Sequence, residues 1–370
     1  MKTQKRNTLR LNSVLLCIAL AAFCLAGCGG NKAADNNNAG TPAADPVKPA
    51  DQGSTQPTES GAQGSAQGGE APADGPVFTS EEYYNAFIYD GYTVSIDYDA
   101  NHLPAGEYDA SGLAHTVCDA LTAETDGSWE YFLSEAYYAI IDCGNDGEPE
   151  LALDLSYITA DGYGQSYDKI YIIKNFDGDL RIIADDFSAY RGYTELNTLG
   201  FITSGGSSSA SSWYDAYSFI TADGERKFLY SAEYNFAKAD TVIPDYMLPS
   251  GTVPEDYEYS WDFVEDGIEM DVYNFTEYDD SRWDDDDYYD EYLKGNIFVF
   301  LDSEENDIAP AEQYAQLYED AGVQISTNAE VQARIAERAA ELGCTEEIHS
   351  AEPVEWIELD SEVVDWLPKG

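Results

Sequence analysis

Apolar and polar positions alternate most plainly in the middle of the chain. Leu151, Leu153, Leu155 and Tyr157 interleave with Ala152, Asp154 and Ser156, the period of a strand with one buried face. Residues 92–99 show the same period and predict an earlier strand. Asp-Gly pairs at 146–147, 177–178, 223–224 and 266–267 punctuate β-rich runs such as 169–176 and 180–187. Asp-Gly suits a hairpin because both residues tolerate positive φ, so from residue 135 onward the pattern predicts a meander. The last three pairs are spaced near the period of a propeller blade, but no side-chain repeat accompanies them.

The two ends of this region have the helical period instead. Thr79, Ser80, Glu81 and Glu82 form a capping box ahead of Tyr83, Tyr84 and Phe87, which predicts a short opening helix. Leu113, Val117 and Leu121, with Ala114 and Cys118 beside them, predict a second over 111–124. A helix over 311–321 would stop at Gly322. Thr327 to Glu330 is a second capping box, leading into Val331, Ile335, Ala339 and Leu342 before Gly343. A final strand is expected over 354–359. The fold class expected is α+β: a largely antiparallel β-meander sheet with packed N- and C-terminal helices.

The first 76 residues follow neither pattern. Lys2, Lys5, Arg6 and Arg10 precede an apolar run from Val14 to Leu25 that is short for a membrane span. Leu25, Ala26, Gly27 and Cys28 close it, and this ending resembles the lipobox of bacterial lipoproteins. The resemblance implies a signal peptide over 1–27, cleaved before Cys28 after a diacylglycerol is attached to its sulfur. It places the protein on the extracytoplasmic face of the cell membrane, held there by lipid at Cys28. Acyl chains together supply the two-signal anchoring that a single chain lacks.

Residues 29–76 consist of Ala, Gly, Asn, Gln, Ser, Thr, Pro and charged residues, with Val47 the one branched apolar side chain. Such a segment cannot bury a core. It reads as a disordered tether over 28–76 with a coil reach of about 40 Å. The expected domain organisation is therefore signal peptide 1–27, lipidated cysteine and tether 28–76, and an acidic extracytoplasmic α+β domain over 77–370.

Charge narrows the partners. The chain carries 71 acidic and 18 basic residues, a net charge of −53 at pH 7, and most of that acid falls after residue 76. Such a surface repels nucleic acid and anionic headgroups, so nucleic-acid functions are excluded. Of the cysteines, Cys118, Cys143 and Cys344 remain after processing and lipidation. They are read as buried free thiols or, alternatively, as one Cys118–Cys143 disulfide with a thiol left over.

Candidate chemistry is sparse. The stretch from Asp142 through Asp146, Gly147 and Glu150 to Leu151 is similar to the acidic Asp-x-Asp-x-Asp-Gly-x-x-Glu-Leu segment of secreted and lipid-anchored proteins of clostridial-type bacteria. That resemblance implies a calcium-loop-like turn, with Asp142, Asp146 and Glu150 as ligands at positions one, five and nine. Gly144 and Leu153 stand where two further ligands would be, which leaves weak calcium binding or a plain hairpin. Residues 277–292 mix Asp279, Asp280, Asp284 to Asp287 and Asp290 with Tyr278, Trp283, Tyr288, Tyr289 and Tyr292, a composition suited to loose cations, to sugar rings, or to a solvated acidic loop. Tyr257, Tyr259, Trp261 and Phe263 alternate with polar residues and read as core.

His102, His115 and His349 are the only histidines, and no zinc, serine-hydrolase or phosphate-loop motif is present. The reading is a noncatalytic, Tyr-rich interaction domain on a membrane-anchored lipoprotein, with a cell-surface glycan or protein as partner. Alternatives are a transporter-associated solute-binding lipoprotein and a glycan-active hydrolase, the latter needing two facing carboxylates about 5 to 9.5 Å apart.

Overall fold

The computed structural model describes residues 78–367 except 101, 126, 160–165, 190, 208–211, 239–240, 250–251, 255, 258–266, 280–281, 283–285, 362–363 and 365. Both predicted N-terminal helices form. Helix α1 (Ser80–Asp90) is capped by Thr79, whose backbone N–H donates to the Glu82 carboxylate at 2.7 Å while its hydroxyl accepts from Glu82 N. It buries Tyr84, Phe87 and Ile88. Strands β1 (Val94–Ile96) and β2 (Gly106–Tyr108) follow. Helix α2 (Ala110–Glu124) is capped by the Asp109 carboxylate, which accepts from Gly112 N at 2.6 Å, and buries Leu113, Ala114, Val117 and Leu121. Each such cap contributes about 1 kcal/mol.

Strands β3 (Tyr131–Ile141), β4 (Glu150–Thr159), β5 (Tyr167–Phe176) and β6 (Asp179–Ala189) make the expected antiparallel meander. The β5–β6 hairpin turns on Asp177 (φ 53°) and Gly178 (φ 93°), the left-handed pair that an Asp-Gly turn requires. Leu151, Leu153, Leu155 and Tyr157 face α1 and α2 in one core, where each fully buried Leu contributes about 2 kcal/mol.

The meander does not continue as one sheet. After Ala189 the chain crosses to a second, built from β7 (Gly192–Leu196), β8 (Phe201–Ser207), β9 (Ser212–Ile220), β10 (Arg226–Lys238), β11 (Ile268–Asn274), β12 (Ile297–Leu301) and β13 (Gln324–Ile325). The two seven-stranded sheets run β14-β3-β4-β5-β6-β1-β2 and β13-β12-β11-β10-β9-β8-β7, where β14 is Ile357–Glu358. Each has one parallel pair, β1 with β6 and β12 with β13. The protein is α+β, with seven-strand ladders in place of propeller blades.

Ala139, Ile141, Ala152, Ile170, Ile172 and Ala184 of the first sheet pack against Leu196, Ile202 and Ile220 of the second. Arg226 ties the same layers together. Its Nη1 donates to the Asp185 carbonyl and its Nη2 to Asp186 Oδ2, both at 2.9 Å.

Helices α3 (Asp286–Leu293), α4 (Ala315–Asp320), α5 (Asn328–Leu342) and α6 (Glu346–His349) belong to the C-terminal half. The capping box at Thr327 and Glu330 forms as predicted. Val331 of α5 joins Ala232, Tyr273, Ile297 and Val299, while Cys344 and Ile348 join Phe201, Phe219 and Leu229. The helix expected over 311–321 is a 3-10 turn (Glu312–Tyr314) followed by the short α4.

The expected strand over 354–359 shrinks to β14, and the chain then returns to the first core through Leu359, Val364 and Leu367. There Trp366 Nε1 donates to the Ile88 carbonyl at 3.1 Å. The Asp-Gly pair at 146–147 sits in a longer loop between Ile141 and Glu150, and Asp223-Gly224 joins β9 to β10. Of the fourth pair, Asp266 lies outside the described residues, and the β10–β11 connection spans Lys238 to Ile268.

Candidate functional site

Cys28 and the segments read as signal peptide (1–27) and tether (28–76) lie outside the described residues. Among the described residues no helix is long and apolar enough to cross a membrane. Cys118, Cys143 and Cys344 are all unbridged, with Cys143 and Cys344 buried.

The acidic loop folds on itself. Asp142 Oδ1 accepts from Asp146 N at 2.9 Å and Gly147 N at 3.0 Å, and Asp146 Oδ1 accepts from Glu148 N at 2.8 Å. Glu150 points the other way. Its side chain is fully buried, its Oε2 accepts from Cys143 N at 2.7 Å, and its Oε1 pairs with Lys174 Nζ. Burial raises the Glu150 pKa, opposed by the Lys174 and Cys143 hydrogen bonds. The three carboxylates named as calcium ligands therefore have separate partners. Among the described residues no group of three His, Cys, Asp or Glu side chains is placed to hold a metal ion.

The Tyr-rich segment after Thr276 packs into itself. The Tyr278 ring meets those of Tyr288 at 5.7 Å and Tyr292 at 4.9 Å, and the Arg282 guanidinium lies 4.2 Å from the Tyr288 ring. Trp283, Asp280, Asp284 and Asp285 lie outside the described residues, as do Tyr259, Trp261 and Phe263. Tyr257 is core as read, its hydroxyl donating to the Ile243 carbonyl beside the Tyr318 hydroxyl.

A different face gathers rings and acids. Trp213, Asp215 and Tyr217 alternate along β9 and so share one side of the second sheet. Asp215 Oδ1 accepts from Trp213 Nε1 at 2.5 Å and from the Tyr193 hydroxyl at 2.7 Å, while Oδ2 accepts from the Tyr217 hydroxyl at 3.2 Å. Tyr193 reaches Asp215 across β8, where Gly205 is the cross-strand neighbour of both. A Cβ at Gly205 would collide with Asp215 Oδ1 and the Tyr214 carbonyl and stand 3.1 Å from the Tyr193 ring. Glycine is required there because the site occupies that space.

The Tyr193 and Trp213 rings stack at 5.6 Å and 24°, and Tyr217 stacks on Tyr230 at 4.4 Å. Burial raises the pKa of the Tyr193 hydroxyl, and its hydrogen bond to Asp215 adds to the shift. The hydroxyl therefore stays protonated and keeps donating. One strand further, Asp271 sits opposite Tyr234. Its Oδ2 accepts from the Tyr273 hydroxyl at 3.3 Å, its Oδ1 is buried without a partner, and burial followed by Glu269 pushes its pKa up to about 7. Trp213 and Tyr193 are half-buried, leaving part of their ring surface exposed.

No sequence motif singled out Asp215, because its donors come from β7 and β9. The alternation Trp213, Asp215, Tyr217 was the one signal available. A second titratable cluster was equally invisible. Lys169, 2% exposed, pairs with Asp185, which also accepts from the Tyr98 hydroxyl at 3.0 Å. Burial lowers the Lys169 pKa against the pull of Asp185. Nearby, His102 Nδ1 meets Glu124 at 2.9 Å. His115 is exposed on α2 with Nδ1 2.7 Å from its own helix's Ser111 carbonyl, and His349 packs edge-on against Phe201 at 4.8 Å.

Comparison with models of protein families, with curated proteins and with solved structures yields no match.

Proposed function

We propose that this protein is a lipid-anchored extracytoplasmic interaction module, tethered through Cys28, whose second sheet binds a cell-surface glycan at Tyr193, Trp213 and Asp215. The observation that supports the site is the stacked Tyr193–Trp213 pair, with both polar atoms hydrogen-bonded to Asp215. Rings locked in this way offer a flat apolar surface at little entropic cost, and sugar C–H faces pack on such surfaces. Asp215 already accepts from three side chains and serves to position the rings.

The largely antiparallel ladders argue against a transporter-type solute-binding lobe, which is built from alternating strands and helices. Two measurements test the reading. In cell fractionation, Cys28→Ala moves the protein from the membrane to the soluble fraction, and retention after a carbonate wash refutes the anchor. In a glycan panel with the full chain, Trp213→Ala weakens binding about tenfold or more. A panel without binders, or binding indifferent to Trp213, refutes the glycan site.

A further inference from the structure

In a chain this acidic, every base has carboxylates in abundance. The basic residues whose side chains are described use them or find other partners. Lys169, Lys174, Arg181, Arg226, Lys227 and Lys294 are each ion-paired with Asp or Glu. Arg282 and Arg334 lie over aromatic rings, and Arg338 donates to the Phe228 carbonyl. Arg191 does none of these. It is 9% exposed, and both Nη1 and Nη2 are buried without a hydrogen-bond partner.

An isolated buried guanidinium destabilises the free protein, and it cannot shed its proton to escape the cost. Folds keep such a group where something supplies the missing acceptors. Arg191 occupies the corner where the chain leaves β6 and enters β7, and the residues packed on its backbone are glycines. A Cβ at Gly206 would stand 2.9 Å from the Arg191 carbonyl and 3.0 Å from Gly192 Cα, and one at Gly192 would stand 3.3 Å from the Gly205 carbonyl. Backbone lies on backbone there. Thr194, three residues on, carries another buried hydroxyl with no partner.

We propose that Arg191 is the anchor of a binding site for a small oxyanion, a ligand bearing a carboxylate or phosphate group, at the β6–β7 corner. The planar fork of Arg binds either group through two parallel N–H···O bonds. The protein's acidity does not forbid this, because at physiological salt charges beyond about 8 Å are largely screened. The acidity does slow the approach of an anion, and it selects ligands that gain from direct contact with the guanidinium. The inference goes beyond the glycan reading, since it holds or falls at Arg191 whether or not the Tyr193–Trp213 rings bind a sugar.

The test is thermal unfolding and calorimetry of the full chain with galacturonate, inorganic phosphate or glucose, at constant ionic strength set with chloride. The expected result is a saturable rise in melting temperature with galacturonate or phosphate but not glucose. The responding anion identifies the source of the oxyanion. Arg191→Gln should weaken that binding about tenfold or more, and Arg191→Leu should abolish it while melting no lower than wild type without anion. That last readout separates a ligand site from a structural role, because a guanidinium with an internal partner would destabilise on removal. Absence of any anion-specific shift in wild type, persistence of the shift in Arg191→Gln, or marked destabilisation by Arg191→Leu would overturn the proposal.

Discussion

Glu150 and Lys174 stand opposite each other across the β4–β5 pair, and their ion pair holds a carboxylate that is fully buried. Leu151 pairs with Ile173 in the same ladder, so the ion pair closes its end. Removing one member leaves the other charge without its partner in a poorly solvated place. Glu150→Ala should therefore cost about 3 kcal/mol, read as a lowered urea midpoint. Adding Lys174→Met to Glu150→Gln should recover much of the loss seen in the single variant, because no unpaired charge remains.

The same commitment limits metal binding. With Glu150 engaged by Lys174 and Cys143, and Asp142 by its own loop amides, the loop offers calcium few free oxygens. Calorimetric titration should show no saturable calcium binding tighter than about the millimolar range of extracellular modules. Submicromolar binding lost in Asp142→Ala would contradict the loop geometry.

Two acids, Asp271 buried and Asp154 half-buried, set a pH dependence of definite sign. Asp154 and Asp271 are each pushed up to about 7 by burial, with Asp168 and Glu269 respectively adding to the shift. Because both hold protons in the folded chain at pH values where the unfolded chain has lost them, their contribution to stability is full below about pH 4. It is lost as pH rises through 7. Asp271→Asn should stabilise the protein by roughly 2 kcal/mol at pH 8 and flatten the melting-temperature profile between pH 5 and pH 8. An Asp271→Asn protein less stable than wild type at pH 8 would show the carboxylate to be held by partners that favour its charge.

Gly205 offers a test of the ring platform that touches no ring. Gly205→Ala places a methyl group against Asp215 Oδ1 and the Tyr214 carbonyl, overpacking that should cost about 1 to 3 kcal/mol. It should also separate Tyr193 from Asp215, visible as a drop in the Tyr193 hydroxyl pKa in NMR titration.

What local chemistry controls was legible in the residues. Thr79 with Glu82 and Thr327 with Glu330 cap helices as their spacing required, and Asp177-Gly178 turns a hairpin because both residues tolerate positive φ. Leu151 to Tyr157 buries the face its alternation marked. The break into two sheets was not legible, because alternation specifies a strand's faces but not which ladder it joins. Glu150 was read as a loop ligand for the same reason. Its fate depends on Lys174, on the next strand, and nothing local reports that pairing. Asp215 looked like one acid among many until β7, β8 and β9 brought Tyr193, Trp213 and Tyr217 to it.

Trp366 donates to the carbonyl of Ile88, and Leu359, Val364 and Leu367 fill out the core under α1. The first core is thus completed by residues 359–367. Helix α1 depends for part of its cover on a contact 278 residues away in sequence. Loop closure over such a separation is slow and entropically costly. Burial under α1 is therefore a non-local event, complete only when segments 278 residues apart have met.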